Sequence, residues 1–127
     1  MELTLVNDLP FIVITAAYQN ASVEIPHVLV DTGSATTVLS VDWVKRIQIT
    51  YTLQDDLYTI RGVGGREAVF LRQLDYLQVG EHRIGNFEVE IGGMDYGFEI
   101  NGILGMNFLK RVGAVINLQE LRLEFAG

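Results

Sequence analysis

One carboxylate in this sequence is placed for chemistry rather than for solubility. Val28-Leu29-Val30 is an apolar run with two β-branched members, which reads as a buried strand. It leads directly into Asp31-Thr32-Gly33-Ser34, an acid followed by two small hydroxyl residues around a glycine that permits a tight turn. An acid held on a sharp loop at the end of a core strand suits acid–base work and fills a core poorly. The plain alternative is an aspartate that caps a turn. Ser34 is placed to hydrogen-bond the Asp31 carboxylate, which would favour its charged form; otherwise it is a small turn residue.

The remaining chemistry-bearing residues are sparse. There is no cysteine, hence no disulfide and no thiolate metal site, and two histidines, His27 and His82, are too few for a metal cluster. Both read as surface or turn residues, and Trp43 as a core residue. Arg61-Gly62-Val63-Gly64-Gly65 is glycine-rich but lacks the Lys-Ser or Lys-Thr ending and the following helix of a phosphate-binding loop. A net charge of −7 argues against nucleic acid and against an anionic membrane surface, both of which need a basic patch. No apolar run approaches the ~20 residues of a membrane span, and Met1-Glu2 opens no signal sequence. The chain reads as soluble and cytoplasmic, or as a soluble domain excised from a longer protein.

The elements that must hold Asp31 are mostly strands. At 127 residues, 49% of them hydrophobic, residues 1–127 form a single domain with a core of useful size. Strands are expected over Glu2 to Val6, Phe11 to Tyr18 and Val23 to Val30, with turns at Asn7 to Pro10 and Gln19 to Ser22. Pro26 marks an edge or a bulge. Thr37 to Leu39 is extended, Ser40 caps a short helix over Val41 to Ile47, and Ile49 to Leu53 is weakly extended. Leu57 to Leu71 reads as a long hairpin with the glycines at its tip, and Leu74 to Val79 and Phe87 to Ile91 as further strands. Gly92 to Asn101 holds an irregular loop. Gly102-Ile103-Leu104-Gly105 leads into a second short helix, Met106 to Val112, and Ala114 to Asn117 and Leu121 to Phe125 close the chain as strands.

A faint repeat runs through this order. Asp42-Trp43-Val44-Lys45-Arg46-Ile47 matches Asn107-Phe108-Leu109-Lys110-Arg111-Val112 in residue character, and each helix follows a hairpin and a loop carrying Asp-X-Gly, Asp31-Thr32-Gly33 and Asp95-Tyr96-Gly97. Asp95 lacks the apolar lead-in and the hydroxyl neighbour of Asp31 and reads as a loop acid.

With these features in this order the chain resembles the retropepsin-like aspartic proteases, the single-lobe relatives of pepsin, and among them the cellular or bacterial members. Three motifs carry the resemblance: the apolar strand into Asp31-Thr32-Gly33-Ser34, the glycine-tipped hairpin near the middle, and Gly102-Ile103-Leu104-Gly105 before the last helix. The resemblance implies a mainly β fold, a closed β-barrel with one or two short helices. It implies a homodimer, because peptide hydrolysis needs two carboxylates sharing a water and this chain offers one, Asp31. Thr32 would hydrogen-bond across the dimer axis and Gly33 would leave room for substrate. Arg61 to Gly65 would form the tip of a flap over an extended polypeptide, with Ala35 and Ile60 to Val63 as pocket walls. Ile103, Leu104 and Gly105 would support the catalytic loop, and the terminal strands of two subunits would interleave. Asn107, uncharged, departs from the family, in which an acid or arginine nearby supports the dimer. The chemistry calls for no metal and no organic cofactor. Two other readings stand beside this one, a non-catalytic dimerisation or peptide-binding module on the same fold, and a small β-barrel ligand carrier.

Overall fold

The computed structural model describes residues 1–62 and 65–125, with 61 and 62 as backbone. The Val63-Gly64 part of the expected flap tip therefore lies outside the described residues.

The chain forms β1 (Thr4–Val6), β2 (Leu9–Tyr18), β3 (Ala21–Val30), β4 (Val38–Ser40), α1 (Val41–Val44) and a 3₁₀ turn (Lys45–Ile47). It continues with β5 (Tyr58–Gly62), β6 (Gly65–Val79), β7 (His82–Gly92), β8 (Gly102–Leu104), α2 (Met106–Leu109), β9 (Ala114–Asn117) and β10 (Arg122–Phe125). Two-residue turns make the first hairpins: Asn7-Asp8 and Gln19-Asn20 have positive φ at both residues, the geometry that matches strand twist. Leu9-Pro10 and Ala21-Ser22, expected as turn, are already strand. The bulge expected at Pro26 is present: the β2–β3 register slips between Ile12↔Val28 and Ile14↔Ile25, and His27 takes up the extra residue with φ 60°.

Strands run in the order β1-β2-β3-β8-β4-β7-β6-β5, and β2 also pairs with β6 through Thr15↔Gln78, Ala16↔Leu77 and Ala17↔Tyr76. That second pairing closes β2, β3, β8, β4, β7 and β6 into a ring, the closed mainly β fold that the resemblance implies. The second arm of the hairpin and the mid-chain alternation, read as separate strands, are one strand, β6, 15 residues long. Ile49 to Leu53 is not a strand. Ile49 is buried, but Thr52 and Asp55 cap a turn with each other and Leu53 is 98% exposed.

The main core fills the ring with Ile14, Ile25, Leu39, Leu74, Leu77, Ile91, Leu104 and Phe108. A second, smaller cluster of Phe11, Leu29, Val38, Val69, Met94, Ile100 and Ile103 lies across the sheet from it. Trp43 sits at the margin of the main core rather than in it, half-buried beneath the Arg46 guanidinium at 3.8 Å. His27 stacks on Phe11 at 4.0 Å and His82 on Phe125 at 4.1 Å.

The termini, expected to interleave with a partner, pair within the chain. Leu3 N–H donates to the Leu121 carbonyl (2.9 Å) and Leu123 N–H to the Met1 carbonyl (2.8 Å), with β10 paired to β9 on its other side. Leu121, at φ 52°, turns the chain so that these strands meet. Among the described residues no helix is long and apolar enough to cross a membrane.

Candidate active site

The Asp31 loop is held by two strands and a helix end. Val28, Leu29 and Val30 are buried and run parallel to Gly102, Ile103 and Leu104 of β8. Asp31 N–H donates to the Leu104 carbonyl (3.0 Å), so the ladder reaches the acid itself. The loop then turns back over α2, where Met106 N–H donates to the Ser34 carbonyl (2.7 Å) and Asn107 N–H to the Ala35 carbonyl (3.1 Å). Gly105 makes this contact possible: a Cβ there would lie 2.0 Å from the Thr36 carbonyl oxygen and 2.8 Å from that of Ser34.

Thr37 locks the joint from within. It is fully buried, its hydroxyl donates to Asn107 Oδ1 (2.8 Å) and accepts from Gly105 N–H (3.1 Å). Asn107, noted in sequence for its place in the repeat and for lacking a charge, is thus a partner of the loop. Sequence reasoning read Thr37 as the first residue of a strand; a hydroxyl in an otherwise apolar run was the available signal.

Asp31 itself is half-buried, with Thr32 and Gly33 exposed beside it. Its Oδ1 accepts from Gly33 N–H (2.9 Å), and a Cβ at Gly33 would stand 3.2 Å from that oxygen. The expected Ser34 bond to Asp31 is not made: the Ser34 hydroxyl donates to the Thr36 carbonyl (2.7 Å), which the turn brings closer. Ser34 bonds to Asp31 through its backbone alone, its N–H donating to the Asp31 carbonyl (3.2 Å).

Asp31 opens onto a cavity of about 520 Å³. Gly33, Ser34, Ala35 and Thr36 line it from the loop, Val38 and Ile103 from β4 and β8, and Ile60 from the β5–β6 hairpin. Leu104 and Gly105 lie behind the loop and Thr32 on its outer side, none of them among the lining residues. In the hairpin, Arg61 pairs with Arg66 and Gly62 with Gly65, whose φ is 112°. Tyr96 closes the cavity from the loop after β7. Its hydroxyl donates to Glu67 of β6, which also accepts from Met94 N–H. Burial, and then the Glu67 carboxylate, raise the Tyr96 phenol above its ordinary value.

The sequence repeat takes the form of an approximate two-fold inside the ring. β4 and β8 pair antiparallel about Val38↔Ile103, while β3 runs parallel to β8 and β4 parallel to β7. Carried through these registers, the two-fold brings Gly92, not Asp95, to the place of Asp31. Asp95 is exposed over a separate hollow with Arg66 and Glu67.

Glu90 is the residue that sequence reasoning missed. Alternation puts it on the polar face of β7, opposite Val89 and Ile91, yet it is only 9% exposed and lines the Asp31 cavity. Burial raises its carboxyl above the ordinary range, and Glu88 and Glu67 add to the rise against a hydrogen bond with Thr36. Among the described residues no cluster of three His, Asp or Glu could hold a metal ion.

A family model described as "gag-polyprotein putative aspartyl protease" matches residues 19–111, from the turn before β3 to the end of the last helical turn. The chain belongs to this family. Retropepsin-like solved structures share the fold across nearly the whole length. A retropepsin-like aspartic protease from Rickettsia conorii has TM-score 0.67 at 20% identity, covering 98% of this chain and 97% of its own. EIAV protease complexed with the inhibitor HBY-793 has TM-score 0.60 at 22% identity, covering 91% of this chain and 98% of its own. No curated protein matches in sequence. Membership places this protein in the aspartyl protease family, with the retropepsin-like fold.

Proposed function

We propose that this aspartyl protease family member is an active endopeptidase whose working unit is a homodimer, each subunit contributing one Asp31. One carboxylate, ionised, takes a proton from a shared water; the other, protonated, polarises the scissile carbonyl. Two acids so close hold one proton between them, because both cannot ionise, and their titration belongs to the pair. The observation that carries this reading is the loop's placement: Asp31 lies on a rim with Thr32 and Gly33 exposed, over a cavity wide enough for a peptide side chain. A two-fold axis at that rim brings the second Asp31 to the first. Thr32 then faces its counterpart, and Gly33 keeps the floor low for substrate. The β5–β6 hairpin, from Arg61 through Gly65, closes over an extended polypeptide and pairs with its backbone. Ile103, Leu104 and Gly105 hold the loop.

The test is cleavage of an unstructured protein by wild type and by Asp31→Asn, with subunit mass measured by sedimentation. The proposal expects turnover by a dimer, and its loss in the variant with the dimer intact. Unchanged turnover in Asp31→Asn refutes it.

A further inference from the structure

Glu90 has no role in the chemistry just described, yet it is among the few buried polar side chains. Among the described residues its Oε2 is buried without a hydrogen-bond partner, and it belongs to a group lining the same cavity as Asp31. A buried carboxylate oxygen with no donor is costly unless a cation or donor reaches it. Its acidic neighbours Glu88 and Glu67 increase that cost, and among the described residues no salt bridge reaches it. Val38, Ile60 and Ile103 give the cavity that Asp31 and Glu90 share apolar walls, with Ser34, Thr36 and Tyr96 as its other polar lining. Apolar walls beside a carboxylate with one oxygen still free match a side chain with a methylene stem and a cationic head.

Resting on the reading of Asp31 as the catalytic acid, we propose that Glu90 determines specificity by receiving a lysine or arginine side chain of the substrate near the scissile bond. One cavity joins the two acids, so the residue that fills it has its backbone beside Asp31. The substrate's ammonium or guanidinium supplies the donor that Oε2 lacks, and the stem covers Val38, Ile60 and Ile103. A carboxylate in the substrate would meet Glu90 as a like charge and be rejected.

The test is cleavage-site profiling on a peptide library with wild type, Glu90→Gln and Glu90→Leu. Wild type is expected to favour Lys or Arg at one fixed position by about tenfold or more, the worth of a charge-assisted hydrogen bond. Glu90→Gln loses that preference and Glu90→Leu replaces it with an apolar one. The same profile in all three proteins overturns the inference and leaves the protease reading standing. Abolished cleavage by a folded Glu90→Gln dimer also overturns it, since Glu90 would then belong to the chemistry. If wild type cuts nothing, the protease reading fails, and affinity of the same peptides for the wild-type protein decides the pocket. Tighter binding of basic peptides that Glu90→Gln abolishes supports it, and equal binding of basic and neutral peptides overturns it.

Discussion

Replacing Gly105 with alanine tests how the loop is held. The new Cβ would stand 2.0 Å from the Thr36 carbonyl oxygen and 2.6 Å from its carbon, backbone atoms with no rotamer to escape into. To reach ordinary contact the 34–36 segment must retreat by about 1 Å, an overpacking that costs about 1–3 kcal/mol. The retreat stretches the bonds from Met106 N–H to Ser34, Asn107 N–H to Ala35 and Gly105 N–H to Thr37 Oγ1, each worth roughly 1 kcal/mol. If all three bonds are lost the total, about 4–6 kcal/mol, is a large part of the ~5–15 kcal/mol that keeps a domain folded, and corresponds to a fall in Tm on the order of 10 °C or more. Because Asp31 N–H hangs from Leu104, next to Gly105, the acid moves too, and a misplacement of about 1 Å lowers turnover by roughly 10²-fold. Calorimetry and peptide cleavage read the two effects separately. Gly93→Ala is the control: its Cβ would meet nothing nearer than Glu67 Oε1 at 3.8 Å, and its Tm should be near that of wild type. A Gly105→Ala protein that melts and cleaves like wild type refutes the argument.

Three further outcomes are expected. If the active site needs Asp31 from both subunits, a ninefold excess of Asp31→Asn subunits, after exchange, leaves about a tenth of the activity per wild-type subunit; activity indifferent to the excess means one chain suffices. Thr37→Val leaves Gly105 N–H and Asn107 Oδ1 without their partner and should cost about 1–3 kcal/mol in denaturant unfolding, with Thr37→Ser close to wild type. Arg72 grips Asp55 at 2.7 Å and, with the Thr52 N–H, holds its carboxyl well below the usual carboxylate range. A depressed carboxylate stabilises the fold above its unfolded value and stops doing so as pH falls through the folded one. The Tm gap between wild type and Arg72→Gln should therefore be full at neutral pH and narrow progressively as pH falls below about 4; a gap constant down to pH 2 refutes the pairing.

What was legible in the sequence was whatever short-range pattern decides. The apolar run into Asp31, the Ser40 cap and the bulge at Pro26 are fixed by neighbouring residues, and the structure has them where the pattern puts them. Ser34 illustrates the limit: both Asp31 and the Thr36 carbonyl are within local reach of its hydroxyl, and the turn geometry, not residue type, selects Thr36. Glu90 was invisible for another reason. Period-two alternation assigns it to a face, but whether that face meets water depends on the Asp31 loop and the hairpin folding across it. The single strand β6 was read as two because alternation does not say where a strand changes partners, and β6 has three: β5, β7 and β2.

The internal two-fold explains why one chain carries one such acid. Its two halves share strand pairing and the helix that follows, yet their loops have diverged in use. In the first, Gly33 keeps the space beside Asp31 free and the loop opens outward. In the second, Gly92 stands where Asp31 would be, and the Glu67 carboxylate occupies the place of its missing side chain, 2.6 Å from a Cβ there. Glu67 also accepts from Met94 N–H and Tyr96, tying this longer loop to the base of the hairpin. An acid at position 92 would meet Glu67 as a like charge at contact distance and would release the loop that bounds the cavity. The second half thus uses the position equivalent to Asp31 to anchor the cleft wall, and in the proposed dyad the second carboxylate would come from a second copy of the chain.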